Sequence, residues 1–483
     1  MGTRVGAVSR AVAVALACTL VGIGAHSFKA VQAASGAPTG LHVSGNRVLD
    51  GNNLPLVLHG VNHSGTDYAC AQGWGLFDGF NGDTDTQSIA NIVAWHANVI
   101  RVGLNEACWL GINGVPAQYG GTNYQNAMIT YVNNLNAAGL VVVLEVHNAA
   151  PGGSTALANG ASGQYTEPQL QMPDADHAPT FWQQVATTFK ANSSVIFDLY
   201  NEPHPDNNQD TTAAWTCWRD GGSACPGLAY TAVGMQSLIT SIRNTGATNI
   251  IQLGGVQYAG TDDAWLTYEP TDPTGNLIAD WHSYGNGSCI TSSCWPTRMG
   301  SVSQRVPLLV NEIGDNNCTH GYIDSLMPWL DGQNIGYLAW TWNTWDCSSG
   351  PSLITDYTGT PTAYGVGFKT HLAALASTPI TGTIGTSSAH AATLAFSTSV
   401  TLNQNLSNAT VVFYVYDANG NMVNQTPVRN VSLLQGTPTP VGLTWPVPAG
   451  QAAGSYTLKV GVFDSTWSQL YVWKDPATTF SIT

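Results

Sequence analysis

Eight short apolar runs recur between residues 40 and 375, and amphipathic stretches separate them. The runs cover 56–62, 98–104, 141–147, 195–201, 249–255, 277–284, 306–312 and 335–343. They are rich in Val, Ile and Leu and nearly free of polar residues, as strands buried on both faces of a parallel sheet must be. Helical periodicity lies between them at 85–96, 124–138, 179–190, 228–243 and 322–332, with the poorest periodic support after the fifth run. Eight parallel strands alternating with helices predict an α/β fold, a (β/α)8 TIM barrel over residues 38–376.

Past the barrel, residues 377–391 are rich in Ser, Thr, Gly and Ala without a helical period, which reads as a linker. Residues 392–483 then carry short strand patterns at 411–416, 441–445 and 456–463. Turn signals at Asp417-Ala418-Asn419-Gly420 and Pro448-Ala449-Gly450 punctuate them, predicting a small all-β Ig-like sandwich. In so small a module Trp467, Tyr471 and Trp473 read as core, with a sugar-stacking strip as the alternative.

At the other end, Arg4 and Arg10 precede an apolar run from Ala11 to Ala25, and Val31-Gln32-Ala33 offers a small-residue cleavage site. Residues 1–33 read as a signal peptide, so a secreted, extracellular protein is expected, without membrane attachment after cleavage. Eight cysteines follow, and an even number in an exported chain favours disulfides. Locality pairs Cys217 with Cys225 and Cys289 with Cys294; Cys70–Cys108 and Cys318–Cys347 are the economical remainder. With no CxxC pair, neither a metal nor a cofactor is expected.

The 29 acidic residues outnumber the 14 basic ones, for a net charge of −15, which argues against a nucleic-acid partner. Only 9% of residues are charged, whereas Trp numbers 16 and Tyr 18. That balance suits a neutral polar ligand such as a sugar, and equally a neutral extracellular surface. Neither a Gly-x-Ser-x-Gly elbow nor a phosphate-binding Gly-x4-Gly-Lys loop stands out.

Barrel enzymes build their sites at the C-terminal ends of the strands. Here those ends carry His147-Asn148, Asn201-Glu202, His282-Ser283-Tyr284, Asn311-Glu312 and Trp342-Asn343. Glu202 and Glu312 close the fourth and seventh runs, on opposite sides of an eight-stranded barrel. Two carboxyl groups facing one cleft are what glycosidic cleavage requires: one protonates the leaving oxygen, and the other attacks the anomeric carbon or activates water.

Asn201-Glu202-Pro203 and Asn311-Glu312-Ile313-Gly314 resemble the acid/base and nucleophile motifs of glycoside hydrolase family 5, in the large clan of retaining (β/α)8 glycosidases. In order along the chain, Asn98-Val99-Ile100-Arg101, Val146-His147-Asn148, Trp281-His282-Ser283-Tyr284 and Ala339-Trp340-Thr341-Trp342-Asn343 resemble its other strand-end motifs. So do Leu41 to Asp50 and Leu58-His59-Gly60-Val61-Asn62 at the start, and the likeness runs over about residues 40–345. The resemblance implies Glu312 as nucleophile, oriented by Arg101 and Tyr284, and Glu202 as general acid and then base. It implies that Asn201 binds the sugar 2-hydroxyl, that His147 and His282 bind hydroxyls or orient the carboxylates, and that Trp342 forms the sugar platform. Trp340 shares the strand parity of Trp342 and is the competing platform.

The same residue types have plainer readings. Arg101 can be a barrel ion pair, the histidines core residues, and Tyr284 and Trp342 packing. Glu145 shares a strand face with His147 and reads as its buried partner, and Asp198 and Asp280 invite the same reading. Trp74, Trp109, Trp265 and Trp345 either line subsites or only pack. The expectation is a monomeric, secreted, retaining endo-β-1,4-glucanase acting on a β-glycan polysaccharide or oligosaccharide. A β-mannanase, xyloglucanase or β-1,3-glucan hydrolase is the alternative within the chemistry, and a non-catalytic glycan-binding protein the alternative outside it.

Overall fold

The computed structural model describes residues 36–51, 55–79, 85–151, 169–347, 350–377, 382–384, 388–390, 394–465, 467 and 470–482. The expected signal segment, 1–33, lies outside the described residues. Eight parallel strands close into a barrel: β1 (His59–His63), β2 (Val99–Asn105), β3 (Val141–Asn148), β4 (Val195–Asp198), β5 (Ile251–Gly254), β6 (Leu277–Tyr284), β7 (Leu308–Gly314) and β8 (Gly336–Ala339). Each pairs with the next, and β8 pairs with β1. Around them lie α1 (Thr86–Ala94), α2 (Thr122–Ala137), α3 (Ala178–Phe189), α4 (Met235–Arg243), α5 (Gly321–Gln333) and α6 (Ala363–Ser377).

The period of two along each strand sorts side chains between two layers. On β2, Ile100, Val102 and Leu104 face the helices and join their core. Val99 faces inward, with Val141, Val143, Ile196, Ile278, Leu309 and Leu338, to make an apolar floor. Leu41 and Val48, from the hairpin His42–Ser44/Arg47–Leu49, join that floor, so the opening segment closes the bottom of the barrel. Burying each such side chain contributes roughly 1.5–3 kcal/mol relative to exposure. Above the floor the inward positions turn polar: Asn62, Arg101, Glu145, Asp198, Gln252, Asp280 and Asn311 are all buried.

The expected helix over 228–243 begins only at Met235, because Ala232–Val233 pairs with Gly221–Gly222 in a hairpin beside the Cys217–Cys225 bridge. After β5 the chain makes a short turn at Val256–Ala259 and a 3-10 turn at Trp265–Thr267 instead of a long helix. The four disulfides are Cys70–Cys108, Cys217–Cys225, Cys289–Cys294 and Cys318–Cys347, the economical pairing of the sequence.

Beyond α6 the chain is all β, as an Ig-like sandwich requires. Strands β9 (Ala395–Leu402), β10 (Leu406–Tyr416), β11 (Met422–Leu433), β12 (Thr439–Thr444), β13 (Gly454–Phe463) and β14 (Leu470–Ile482) form two antiparallel sheets. One has the order β11-β10-β13-β14; in the other β9 pairs with β12. Phe396, Val411, Phe413, Val415, Leu458 and Val460 share one core. Within the segment read as a linker, Gly382–Ile384 and Ser388–His390 each pair with β9, and the residues between them lie outside the described residues. Trp467 and Trp473 are not in the core expected of them. Trp473 is 42% exposed against Tyr414, and Trp467 packs on Phe463 beneath Arg429. Alternation on β14 and a turn at Trp467 carry them to the outer side of the sheet.

Candidate active site

A cleft of about 630 Å³ opens at the C-terminal ends of the strands, and Glu202 and Glu312 both line it. Nearby carboxyl and ring atoms of Glu202, His282 and Glu312 all lie within 4.8 Å of one another. The local fold of β7 produces this approach. Between Leu309 and Glu312 the strand advances three residues while β6 advances two, from Asp280 to His282. One extra residue is a bulge, and it lets Asn311 and Glu312 both face inward where a regular strand would alternate. Gly314 completes the device: a Cβ there would sit 2.4 Å from the ring of Tyr284. Without that space the tyrosine cannot reach the carboxylate.

Arg101 is the hub beneath the cleft. Its Nη1 donates to Glu312 Oε1 at 2.7 Å and Asn62 Oδ1 at 3.1 Å, its Nη2 to Asn201 Oδ1 at 2.8 Å, and its Nε to Asp198 Oδ2 at 3.0 Å. Glu145 Oε2 is 3.7 Å away. Four acceptors around one planar fork fix the guanidinium and, through it, the two cleft side chains. Glu312 Oε2 accepts from the Tyr284 hydroxyl. Burial, with Glu312 and Glu202 nearby, pushes the Tyr284 hydroxyl well up, so it stays protonated and donates.

His282 bridges the carboxylates. Its Nδ1 is 2.9 Å from Glu202 Oε1 and 3.5 Å from Glu312 Oε2, and its Nε2 is 3.1 Å from Asp280 Oδ2. A ring facing carboxylates through both nitrogens carries a proton on each. Burial opposes that charge, but Glu312 and Asp280 outweigh it and hold the imidazole pKa well above its ordinary value. Burial likewise raises the Glu312 carboxyl; His282 and then Arg101 pull it back, and Glu202 adds to the rise.

On the opposite wall, His147 Nδ1 is 2.7 Å from Glu145 Oε1, and its ring stacks on Trp340 with centroids 5.6 Å apart. Burial works against its charge, yet Glu145 and Asp67 raise its pKa to about 9. Glu145 thus has the partner role read from strand parity. Asn201 Oδ1 accepts from Arg101, and its amide nitrogen lies 3.5 Å from His147 Nε2.

The structure brings together Arg101, His147, Asn201, Glu202, His282, Tyr284 and Glu312. It does not bring Trp342. That ring is 0% exposed, packs edge-on against Trp95 at 5.0 Å, and points Nε1 at Ser88. Trp340 lines the cleft instead. The reason is that β8 ends at Ala339, so strand alternation no longer governs either tryptophan. Of the loop tryptophans, Trp109 and Trp265 are buried in the helix-side core, whereas Trp74 and Trp345 stay at the surface near Tyr68.

Sequence reasoning missed Asn62, which steadies Arg101, and Tyr258, which lines the cleft with its ring 4.0 Å from His204. Gln257, Tyr258 and Ala259 all have φ between 51° and 61°. Such left-handed residues cost on the order of 1 kcal/mol each and gather at functional sites. The only signal was the Gly254-Gly255 and Gly260 punctuation around them.

A model of the cellulase family, glycosyl hydrolase family 5, matches residues 49–346. A mannan endo-1,4-β-mannosidase of Streptomyces lividans is 25% identical over 64% of this chain and 68% of its own length. A manganese dependent endoglucanase of Phanerodontia chrysosporium is 26% identical over 47% of this chain and 53% of its own, so the match takes in only about half of that relative. Among solved structures, a β-glucanase of Saccharophagus degradans superposes with a TM-score of 0.52 at 17% identity, over 70% of this chain and 94% of its own. An endogalactoceramidase gives 0.51 at 16% identity, over 81% and 98%. These two likenesses concern the fold alone. The family match covers more than half of the chain and spans the strand ends that carry both glutamates, and the chain belongs to glycosyl hydrolase family 5.

Proposed function

We propose that this chain is a secreted, retaining endo-β-1,4-glucanase in which Glu312 is the nucleophile and Glu202 the acid/base. The observation that carries the reading is the approach of Glu202 and Glu312 to within 4.8 Å. Retaining glycosidases hold their carboxyl groups about 5–5.5 Å apart, whereas inverting ones need roughly 6.5–9.5 Å to admit a water.

Glu312 attacks the anomeric carbon while the Glu202 proton passes to the glycosidic oxygen, which leaves with its sugar. A glycosyl ester on Glu312 results. Water, losing its proton to Glu202, then attacks the same carbon and frees Glu312. Arg101 and Tyr284 each bind one Glu312 oxygen, which aims the carboxylate. The His282 imidazolium offsets repulsion between the two acids. Asn201 binds the 2-hydroxyl through its amide nitrogen, and Trp340 and Tyr258 offer ring faces to sugar C–H faces. Export is supported by the signal-like segment at 1–33 and by four disulfides, which persist in oxidising compartments.

A β-mannan is the second reading, favoured by the Streptomyces lividans mannanase, whose match takes in 64% of this chain. A panel of β-1,4-glucan, mannan, xyloglucan and β-1,3-glucan, run with the parent and with Glu312→Ala, separates the two. The proposal expects the highest kcat/KM on β-1,4-glucan, and turnover lost in the variant while glycan binding persists. Highest kcat/KM on mannan would move the substrate assignment, and undiminished turnover by Glu312→Ala would overturn the mechanism.

A further inference from the structure

The cleft holds a fixed cation that the chemistry at Glu202 and Glu312 does not use. Among the described residues lining it, Arg298 is the only Lys or Arg. It stands on the short helix Trp295–Met299, directly after the Cys289–Cys294 bridge, and its backbone carbonyl accepts from Asp262 N at 2.6 Å. Its Nη1 donates to Gln257 Oε1 at 3.0 Å and its Nη2 to Ser288 Oγ at 3.4 Å. Gln257 is itself held, because its Nε2 donates to the carbonyl of Asn208 at 3.2 Å. The left-handed turn at Gln257–Ala259 therefore has two effects: it presents the Tyr258 ring to the cleft and it fixes the Arg298 guanidinium.

That guanidinium has no counter-charge beside it. Arg101, Arg219 and Arg243 each hold a carboxylate oxygen at 2.7 Å. Among the described residues no carboxylate oxygen comes within 4.0 Å of Arg298, and both of its acceptors are neutral. Asp263 feels its charge from farther away and is hydrogen-bonded to Asp210. The chain has 29 acids for 14 bases, so the missing partner is not for want of acids. Two N–H groups of the fork are engaged, and the others have no acceptor among the described residues. A sugar hydroxyl would satisfy one of them, whereas a carboxylate takes two in parallel and neutralises the charge.

The position of Arg298 sets which part of a substrate it meets. Tyr258 N donates to Pro203 O at 3.1 Å, and the Tyr258 ring stacks on His204, whose Nδ1 is 2.7 Å from the carbonyl of Glu202. The turn that holds Arg298 is thus built on the segment of Glu202, with His147 and Trp340 on the opposite wall. A general acid stands beside the leaving oxygen, so Arg298 faces the leaving part of the glycan.

We propose, resting on the reading of Glu202 as the acid/base, that Arg298 determines specificity by binding a carboxylate on the leaving part of the glycan. The substrate class is then a β-glycan carrying acidic substituents, of the uronic acid kind, in preference to a wholly neutral one. Asn286 and Ser288 line the same stretch of the cleft and suit the neutral hydroxyls around such a group.

The test gives the full chain carboxymethyl cellulose and hydroxyethyl cellulose, soluble β-1,4-glucans whose substituents are alike in size and differ in charge. The readout is the ratio of kcat/KM on the charged polymer to that on the neutral one. Arg298→Met should lower this ratio about tenfold, as for the loss of hydrogen bonds to a charged group. Arg298→Lys, which keeps the charge and loses the fork, should lower it less. Added salt should lower the ratio of the parent relative to that of Arg298→Met. Mass spectrometry of the fragments that the parent releases should find carboxymethyl groups enriched near the new non-reducing ends, which come from the leaving part. An equal ratio in parent and Arg298→Met would overturn the proposal, and so would enrichment near the new reducing ends. If Arg298→Met fails to fold, Arg298→Lys decides: a lowered ratio supports the carboxylate site and an unchanged one refutes it. If neither cellulose derivative is cleaved, the β-1,4-glucan reading fails by itself. The same two substituents on mannan, read as kcat/KM or as affinity, then decide the role of Arg298 by the same ratio.

Discussion

Replacing Arg101 with Met keeps the length of the side chain and removes its charge. The guanidinium contacts Glu312 at 2.7 Å, Asn201 at 2.8 Å, Asp198 at 3.0 Å and Asn62 at 3.1 Å, all buried. Removing one member of a buried pair costs roughly 3–5 kcal/mol, because the partner charge is left behind. Here Asp198, Glu145 and Glu312 are all left behind. The chain recovers part of that loss by taking up protons, at about 1.4 kcal/mol per pKa unit. Glu312 is poised to do so, because burial already raises its carboxyl and Arg101, with His282 and His147, opposes the rise. A nucleophile must be ionised, so raising its pKa further moves the acid limb of kcat/KM to higher pH. Urea unfolding at pH 7 should show a loss of about 3–5 kcal/mol. The pH profile of the folded variant should shift its acid limb upward by about one unit or more. Arg101→Lys, which keeps the charge and loses the fork, should fall between variant and parent in both measurements. Stability within about 1 kcal/mol of the parent, with an unmoved acid limb, would refute the role given to Arg101.

Tyr284→Phe removes the hydroxyl that holds Glu312 and should lower kcat/KM about ten- to a hundredfold, as expected of one hydrogen bond to a charged group; an unchanged value would detach Tyr284 from catalysis. Trp342→Ala should cost about 3–5 kcal/mol in urea unfolding, as for a buried aromatic, whereas Trp340→Ala should spare stability and raise KM; the reverse pattern would restore Trp342 as the platform. Burial, which Asp78 only partly offsets, lowers the pKa of His63 to about 3. The unfolded chain binds that proton near pH 6.5, so its contribution is complete above 6.5 and is lost as pH falls toward 3. Between pH 7 and pH 5 the parent should lose roughly 2 kcal/mol that His63→Gln does not; equal losses in both would contradict the burial of a neutral ring.

What could be read from the sequence follows from which forces act locally. Strands such as β3 and β6 were visible because parallel strands buried on both faces must be apolar throughout, and their polar ends stood out against that background. Glu202, Glu312, Arg101 and Tyr284 were legible for the same reason. The bulge in β7 was not, since the extra residue exists only relative to the register of β6. Trp340 and Trp342 were inseparable because alternation was carried past Ala339, where β8 stops. Tyr258 reaches the cleft through three left-handed residues, and nothing in Val256-Gln257-Tyr258-Ala259 favours that conformation. Composition also misled at Gly382–Ile384 and Ser388–His390, where Ser, Thr and Gly are compatible with short strands once β9 is available to pair.

The account rests on Glu312 attacking the sugar directly, and the configuration of the first product tests this. Proton NMR of a β-1,4-linked oligosaccharide during the first minutes of hydrolysis resolves the anomers before mutarotation mixes them. Double displacement at Glu312 predicts the β-anomer first, with the α-anomer growing in later. An α-anomer appearing first would mean that water, not Glu312, attacks the anomeric carbon.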